Sequence, residues 1–116
     1  MGRDKIETYL GFCIRSGRIE FGVDRAESLK KGVYLLMASA SLSENSMKTL
    51  VKLKEKFSCP LLVTEGVSFS ELLHRPAVKA AAVKDKNLAS AILTASASDA
   101  QYKSVSYTHL RAHETR

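Results

Sequence analysis

Apolar positions at the start of the chain recur at Ile6, Tyr9, Leu10 and Cys13. That is the i, i+3, i+4, i+7 spacing of one helical stripe, and it predicts a helix over residues 4–16. Asp4 is placed to cap its start. Ser16-Gly17 is placed to end it, because glycine takes the left-handed C′ conformation without a Cβ penalty. The period then changes. Arg18 to Phe21 alternates polar and apolar, as a short half-buried strand does. Gly22 permits a sharp turn, and Asp24 to Lys31 reads as a second, short helix with Ala26 and Leu29 on its inner side. Val33 to Ala38 is a continuous apolar run, the pattern of a central strand covered on both faces.

From Ser43 to Phe57 the helical period returns, with Met47, Leu50, Val51 and Phe57 as the apolar stripe and Lys48, Lys52, Glu55 and Lys56 opposite. Cys59-Pro60 breaks this helix, and Leu61 to Thr64 follows as a strand. Ser68 and Glu71 form a capping box that opens a short helix through Leu72 and Leu73, stopped before Pro76. Val78 to Val83 is a strand of small residues, which calls for a closely packed helix above it. Asp85 and Asn87 begin a last helix whose stripe is Leu88, Ala91, Ile92 and Ala95, and the pattern frays beyond Ser96. Helices and strands alternate with short connections throughout. The expectation is one α/β domain, a three-layer α/β/α sandwich around a small mixed sheet of about four strands.

Charge adds a partner to this picture. The 116 residues carry a formal net charge of +6, so an anionic partner is expected. No apolar run approaches the ~18 residues that cross a bilayer. Cys13 and Cys59 have no C-x-x-C spacing and lie among apolar residues, which reads as two buried free thiols in a cytoplasmic, monomeric protein. The final run, residues 105–116, continues no periodicity and resembles the read-through translation of a sequencing adapter. We therefore expect the domain in residues 1–104 and a non-native tail after it. Setting that tail aside removes Arg111, Glu114 and Arg116, which lowers the net charge to +5, and leaves His74 as the sole histidine.

Catalytic patterns are sparse. No Ser-His-Asp set can be assembled, no phosphate-loop or dinucleotide glycine pattern is present, and no cofactor or metal is expected. Asp24 and Glu27 read as dipole partners of a first helical turn. A non-enzymatic protein is expected. The cations are better placed for chemistry of another kind. Arg15, Arg18, Arg25, Lys30 and Lys31 flank the Gly22 turn in sequence, and a helix N-terminus ringed by cations suits a phosphate. In an α/β sandwich the Gly22 turn and the Pro76-Ala77-Val78-Lys79 segment can meet at one edge of the sheet. Such a cleft suits irregular, structured RNA better than a major groove, because no long basic recognition helix is present.

Four stretches together resemble a known family: Gly17-Arg-Ile-Glu-Phe-Gly-Val-Asp-Arg, the Val33–Ala38 strand, the Ser43-Glu-Asn-Ser-Met-Lys helix start, and Ala80-Ala-Ala-Val-Lys-Asp-Lys-Asn-Leu-Ala-Ser-Ala-Ile92. The family is the kink-turn-binding superfamily of the large-subunit ribosomal proteins L-seven-Ae and L-thirty-e, in its small bacterial branch. The resemblance spans residues 4 to about 95. It implies a ribosome-associated protein that binds a kink-turn, a sharply bent internal loop with tandem sheared G·A pairs. It also implies RNA contacts from Arg18, Gly22, Val23, Asp24, Arg25, Ser28 and Lys31, with Ala77, Val78 and Lys79 covering the bulge. The family pattern after the turn is glycine, any residue, asparagine, glutamate, then a lysine further on. Gly22 matches it, whereas Asp24, Arg25 and Ser28 stand at the other three positions. An aspartate cannot donate as asparagine does, and an arginine cannot accept from a guanine edge. The alternative from another class is a protein-interaction module on the same fold, its basic surface meeting an acidic protein. A small phosphate-ligand enzyme of doubly wound type is a third reading, and it lacks a catalytic group at the strand ends.

Overall fold

The computed structural model describes residues 2–65, 73, 78–97 and 102–104. Helix α1 (Gly2–Ser16) presents Ile6, Leu10 and Cys13 inward, all fully buried. It closes at Gly17, φ +72°, where the Gly17 N–H donates to the Ile14 carbonyl and the Arg18 N–H to the Cys13 carbonyl. That pair of bonds is the Schellman motif expected at Gly17. Strand β1 (Ile19–Phe21) leads through Gly22 into α2 (Val23–Ser28), and β2 (Leu35–Ser39) into α3 (Glu44–Phe57). Strand β3 (Leu61–Thr64), β4 (Ala80–Val83), α4 (Lys86–Ser96) and β5 (Tyr102–Ser104) complete the described chain. Ser43 caps α3 by accepting from the Ser46 N–H at 3.2 Å, and Asp85 caps α4 by accepting from the Leu88 N–H at 2.9 Å.

The strands form one sheet in the order β1-β4-β2-β3-β5. Only β2 and β3 run parallel; β4 is antiparallel to both β1 and β2, and β5 to β3. Strand β2 therefore lies at the centre, which is why its sequence is apolar without alternation. Leu35 and Met37 face a cluster built with Ile6, Leu10 and Cys13 of α1 and Ala89 and Ile92 of α4. Leu36 and Ala38 face the opposite cluster, with Ala26 of α2 and Leu50 and Leu53 of α3. Among the described residues, α1 and α4 on one face of the mixed sheet and α2 and α3 on the other make the expected three-layer sandwich. The run of small residues in β4 has its counterpart here: Ala80 and Ala82 share a cluster with Ala26 of α2, with Val23 and Leu29 packed at its margin.

Four details differ from the periodicity. Helix α2 stops at Ser28 rather than Lys31, because Leu29 turns extended (ψ 146°) and puts its side chain against the second cluster. Lys56 then donates to the Leu29 carbonyl at 3.0 Å, and Gly32, φ +85°, turns the chain into β2. On α3, Leu53 is buried in the stripe while Met47, Val51 and Phe57 sit at its rim. On α4 the buried stripe is Ala89, Ile92 and Ser96, with Leu88 and Ala95 flanking it, because the helix turns small residues toward the packed interior. A fifth strand, β5, pairs with β3 where a fraying end was expected; three residues are too few to show a period. The capping box at Ser68 and Glu71, His74, Pro76, Ala77 and the tail from residue 105 lie outside the described residues, while Leu73 is helical and buried.

Both cysteines are buried and free, Cys13 in the α1–α4 cluster and Cys59 in the α2–α3 cluster. The sheet separates them, so they cannot pair within one chain. Burial pushes each thiol up to about 11, out of the range of a nucleophile. Among the described residues no helix is long and apolar enough to cross a membrane.

Candidate RNA-binding site

The turn between β1 and α2 fixes the site. Gly22 has φ +96° and ψ 151°, a backbone conformation open to glycine almost alone. Its N–H donates to the Ala80 carbonyl at 2.8 Å, and its carbonyl accepts from the Ala26 N–H at 3.1 Å. The turn is thereby bonded to the entry of β4 on one side and to the first turn of α2 on the other. An added Cβ would meet nothing within 4 Å, so the requirement for glycine is one of backbone conformation and not of space. Gly22→Ala should therefore lower the stability by about 1–3 kcal/mol in urea unfolding, with contacts otherwise kept.

Beside this turn lies an open hollow of about 470 Å³. One wall is Phe21, Gly22, Val23, Asp24 and Arg25; Leu42 and Ser46 at the start of α3 form another; Lys79 and Ala80 close it. Main-chain bonds tie the floor together. The Ser39 N–H donates to the Lys79 carbonyl at 2.9 Å, and the Ala40 N–H to the Thr64 carbonyl at 3.0 Å. The hollow thus lies past the carboxyl end of β2, between the Gly22 turn and the start of α3. Two segments distant in sequence, the Gly22 turn and the Lys79 approach to β4, meet there.

Arg25 is 69% exposed at its side chain and is steadied by Glu20, Nη2 to Oε1 at 2.8 Å. The other carboxylate oxygen of Glu20 accepts from Lys84 Nζ at 2.9 Å. The Lys84 hydrogen bond, helped by that of Arg25 and opposed by partial burial, holds the Glu20 carboxyl below its ordinary 4.5. A carboxyl whose folded pKa is below its unfolded one stabilises the fold above the unfolded value and loses that contribution as the pH falls through the folded one. Glu20→Gln should accordingly flatten the loss of stability below pH 4.5, read from unfolding midpoints compared at about pH 6 and about pH 3.

Of the residues expected to contact RNA, Gly22, Val23, Asp24, Arg25 and Lys79 come together around the hollow. Four do not. Arg18 lies at the opposite end of β1, where its carbonyl accepts from the Lys84 N–H at 2.7 Å. Lys31 follows the end of α2, near the C-terminal turn of α3 that Lys56 marks. Ser28, the last residue of α2, turns its hydroxyl back to the Arg25 carbonyl at 2.8 Å. Val78 packs against the α1–α4 cluster on the other face of the sheet. Ala77 lies outside the described residues. Because α2 has six residues, its dipole contributes little, and what the hollow offers an anion is its side chains and the shape of the turn. Leu42 and Ser46 join the wall without a sequence signal of their own, since the seryl stretch before α3 reads as a cap. Among the described residues no group of three metal-ligating side chains gathers.

No protein-family model matches the chain, and no curated protein matches it. Among solved structures it is similar to a protein with unknown function from Bacillus halodurans, with a TM-score of 0.63 and 17% sequence identity. The match covers 78% of this chain and 95% of that one. At this identity the likeness speaks for the α/β fold alone.

Proposed function

We propose that this domain is a non-enzymatic RNA-binding protein that docks a bent, kink-turn-like RNA against the hollow at Gly22, in the cytoplasm and in association with the ribosome. The meeting of the Gly22 turn with Lys79 carries the reading. It puts two cations, a sharp glycine turn and an apolar wall of Phe21, Val23 and Leu42 on one open surface. Phosphates would be held by Arg25 and Lys79, and unstacked bases covered by the apolar wall. The positive net charge and the resemblance to the kink-turn-binding ribosomal proteins support the same partner. Asp24 beside Arg25 presents an acceptor followed by a donor fork, so the base edges it selects differ from those read by an asparagine and a glutamate.

The test is a comparison of two RNAs at about 100 mM salt, where weak electrostatic contacts are already partly suppressed. One carries a kink-turn; in the other its G·A pairs are made Watson–Crick. Preferential binding of the kink-turn is expected, with a slope of log K against log salt of about −3 to −5 for some four to six phosphates. Equal binding of both RNAs would remove the kink-turn from the reading. Binding of neither would favour an acidic protein as the partner.

A further inference from the structure

The end of the sheet opposite the hollow carries its own arrangement. There Arg18 and Lys84 stand opposite each other, just before β1 and just after β4, and Tyr34, just before β2, meets β4 at Val83. The Lys84 N–H donates to the Arg18 carbonyl at 2.7 Å and the Tyr34 N–H to the Val83 carbonyl at 2.9 Å. With strands ~4.8 Å apart, the three span only ~10 Å. Ile19, Val83 and Leu35, one step further in, all face the α1–α4 cluster. Arg18 and Lys84 belong to the alternate face, the one on which Glu20 reaches Lys84.

Tyr34 is 43% exposed, and the only other large hydrophobic side chain exposed among the described residues is Phe12 at 44%. The two differ in their surroundings. Phe12 lies under its own helix neighbour, with the Arg15 guanidinium 4.9 Å from the ring centroid, whereas Tyr34 has no such partner among the described residues. Lys30 and Lys31, both exposed, precede Tyr34 across the Gly32 turn. Glu20 and Asp85, within two residues of Arg18 and Lys84 along the chain, are already engaged, one by Lys84 and Arg25 and the other by the Leu88 N–H.

We propose that the Tyr34 face is a second nucleic-acid contact, one that takes single-stranded RNA: Tyr34 stacks an unpaired base while Arg18, Lys30 and Lys31 hold the flanking phosphates. An exposed aromatic among free cations is what a strand without fixed sequence requires, since every base offers a stacking face. A duplex would leave the ring unused. The face is separated from the Gly22 level by the length of β1, ~13 Å at ~3.4 Å per residue, so it can act with the hollow or without it.

The probe is a ten-nucleotide oligouridylate, titrated into the full chain at about 50 mM salt and followed by fluorescence anisotropy. Tyr34→Ala should bind it about ten-fold more weakly than wild type, and Tyr34→Phe should retain binding within about two-fold. Lys5→Ala, which removes an exposed cation of α1 that belongs to neither site, should leave this affinity unchanged, so that the outcome does not follow net charge alone. An oligouridylate that fails to bind, or that binds wild type and Tyr34→Ala alike, would overturn the proposal. So would a loss on Tyr34→Ala matched by an equal loss on Lys5→Ala.

Discussion

Leu36→Ala is expected to lower the unfolding free energy by about 2–5 kcal/mol, the largest single stability effect foreseen for this fold. Leu36 is fully buried on the central strand, with Ala82 of β4 and Leu61 of β3 as its register neighbours. Its side chain is packed with Leu50 and Leu53 of α3. The alanines that let α2 approach β4 leave little around Leu36 that could move to fill a void. The substitution therefore combines lost transfer free energy with a cavity that does not collapse. Urea unfolding should show a lower midpoint at an unchanged slope. A loss below about 1 kcal/mol would mean that α3 is not seated on β2 as described.

The second large effect concerns binding. Arg25→Ala combined with Lys79→Ala should weaken kink-turn binding by about 100-fold at about 100 mM salt, and flatten the salt slope by about 2. Each single variant should account for about half of both changes, since each removes one phosphate contact. Both side chains are exposed and neither is part of the packed clusters, so the fold should survive, which circular dichroism would check. Alanine is preferred to glutamate at residue 25, because a reversal of charge creates new contacts while removing the old one. Wild-type affinity and slope in the double variant would take the site away from the hollow.

Local chemistry made much of the fold legible. Gly17, Ser43 and Asp85 end or begin helices through bonds to their own neighbours, and such bonds are written in a few consecutive residues. The apolar run of β2 likewise needs only two covered faces to explain it. Where the structure departs from the pattern, the cause lies far away in sequence. Helix α2 ends early because Leu29 finds the second cluster and Lys56 finds its carbonyl. The α4 stripe shifts because its packed side is decided by its neighbours, not by the helix itself. The site shows the same division. Gly22 and Lys79 could be brought together from the alternation of elements alone. Arg18, only four residues from Gly22, is carried away by β1, and closeness along a strand is distance in space. Leu42 and Ser46 reach the hollow through the docking of α3, which no stretch of sequence announces.

Docking of structured RNA at the Gly22–Lys79 hollow, as proposed, is open to backbone amide NMR of the full chain titrated with the kink-turn RNA. The shifts should concentrate at Gly22, Val23, Asp24, Arg25, Ser46, Lys79 and Ala80, while the α1–α4 face stays unchanged. Shifts centred on Phe12 and the outer surfaces of α1 and α4, or none at saturating RNA, would contradict it.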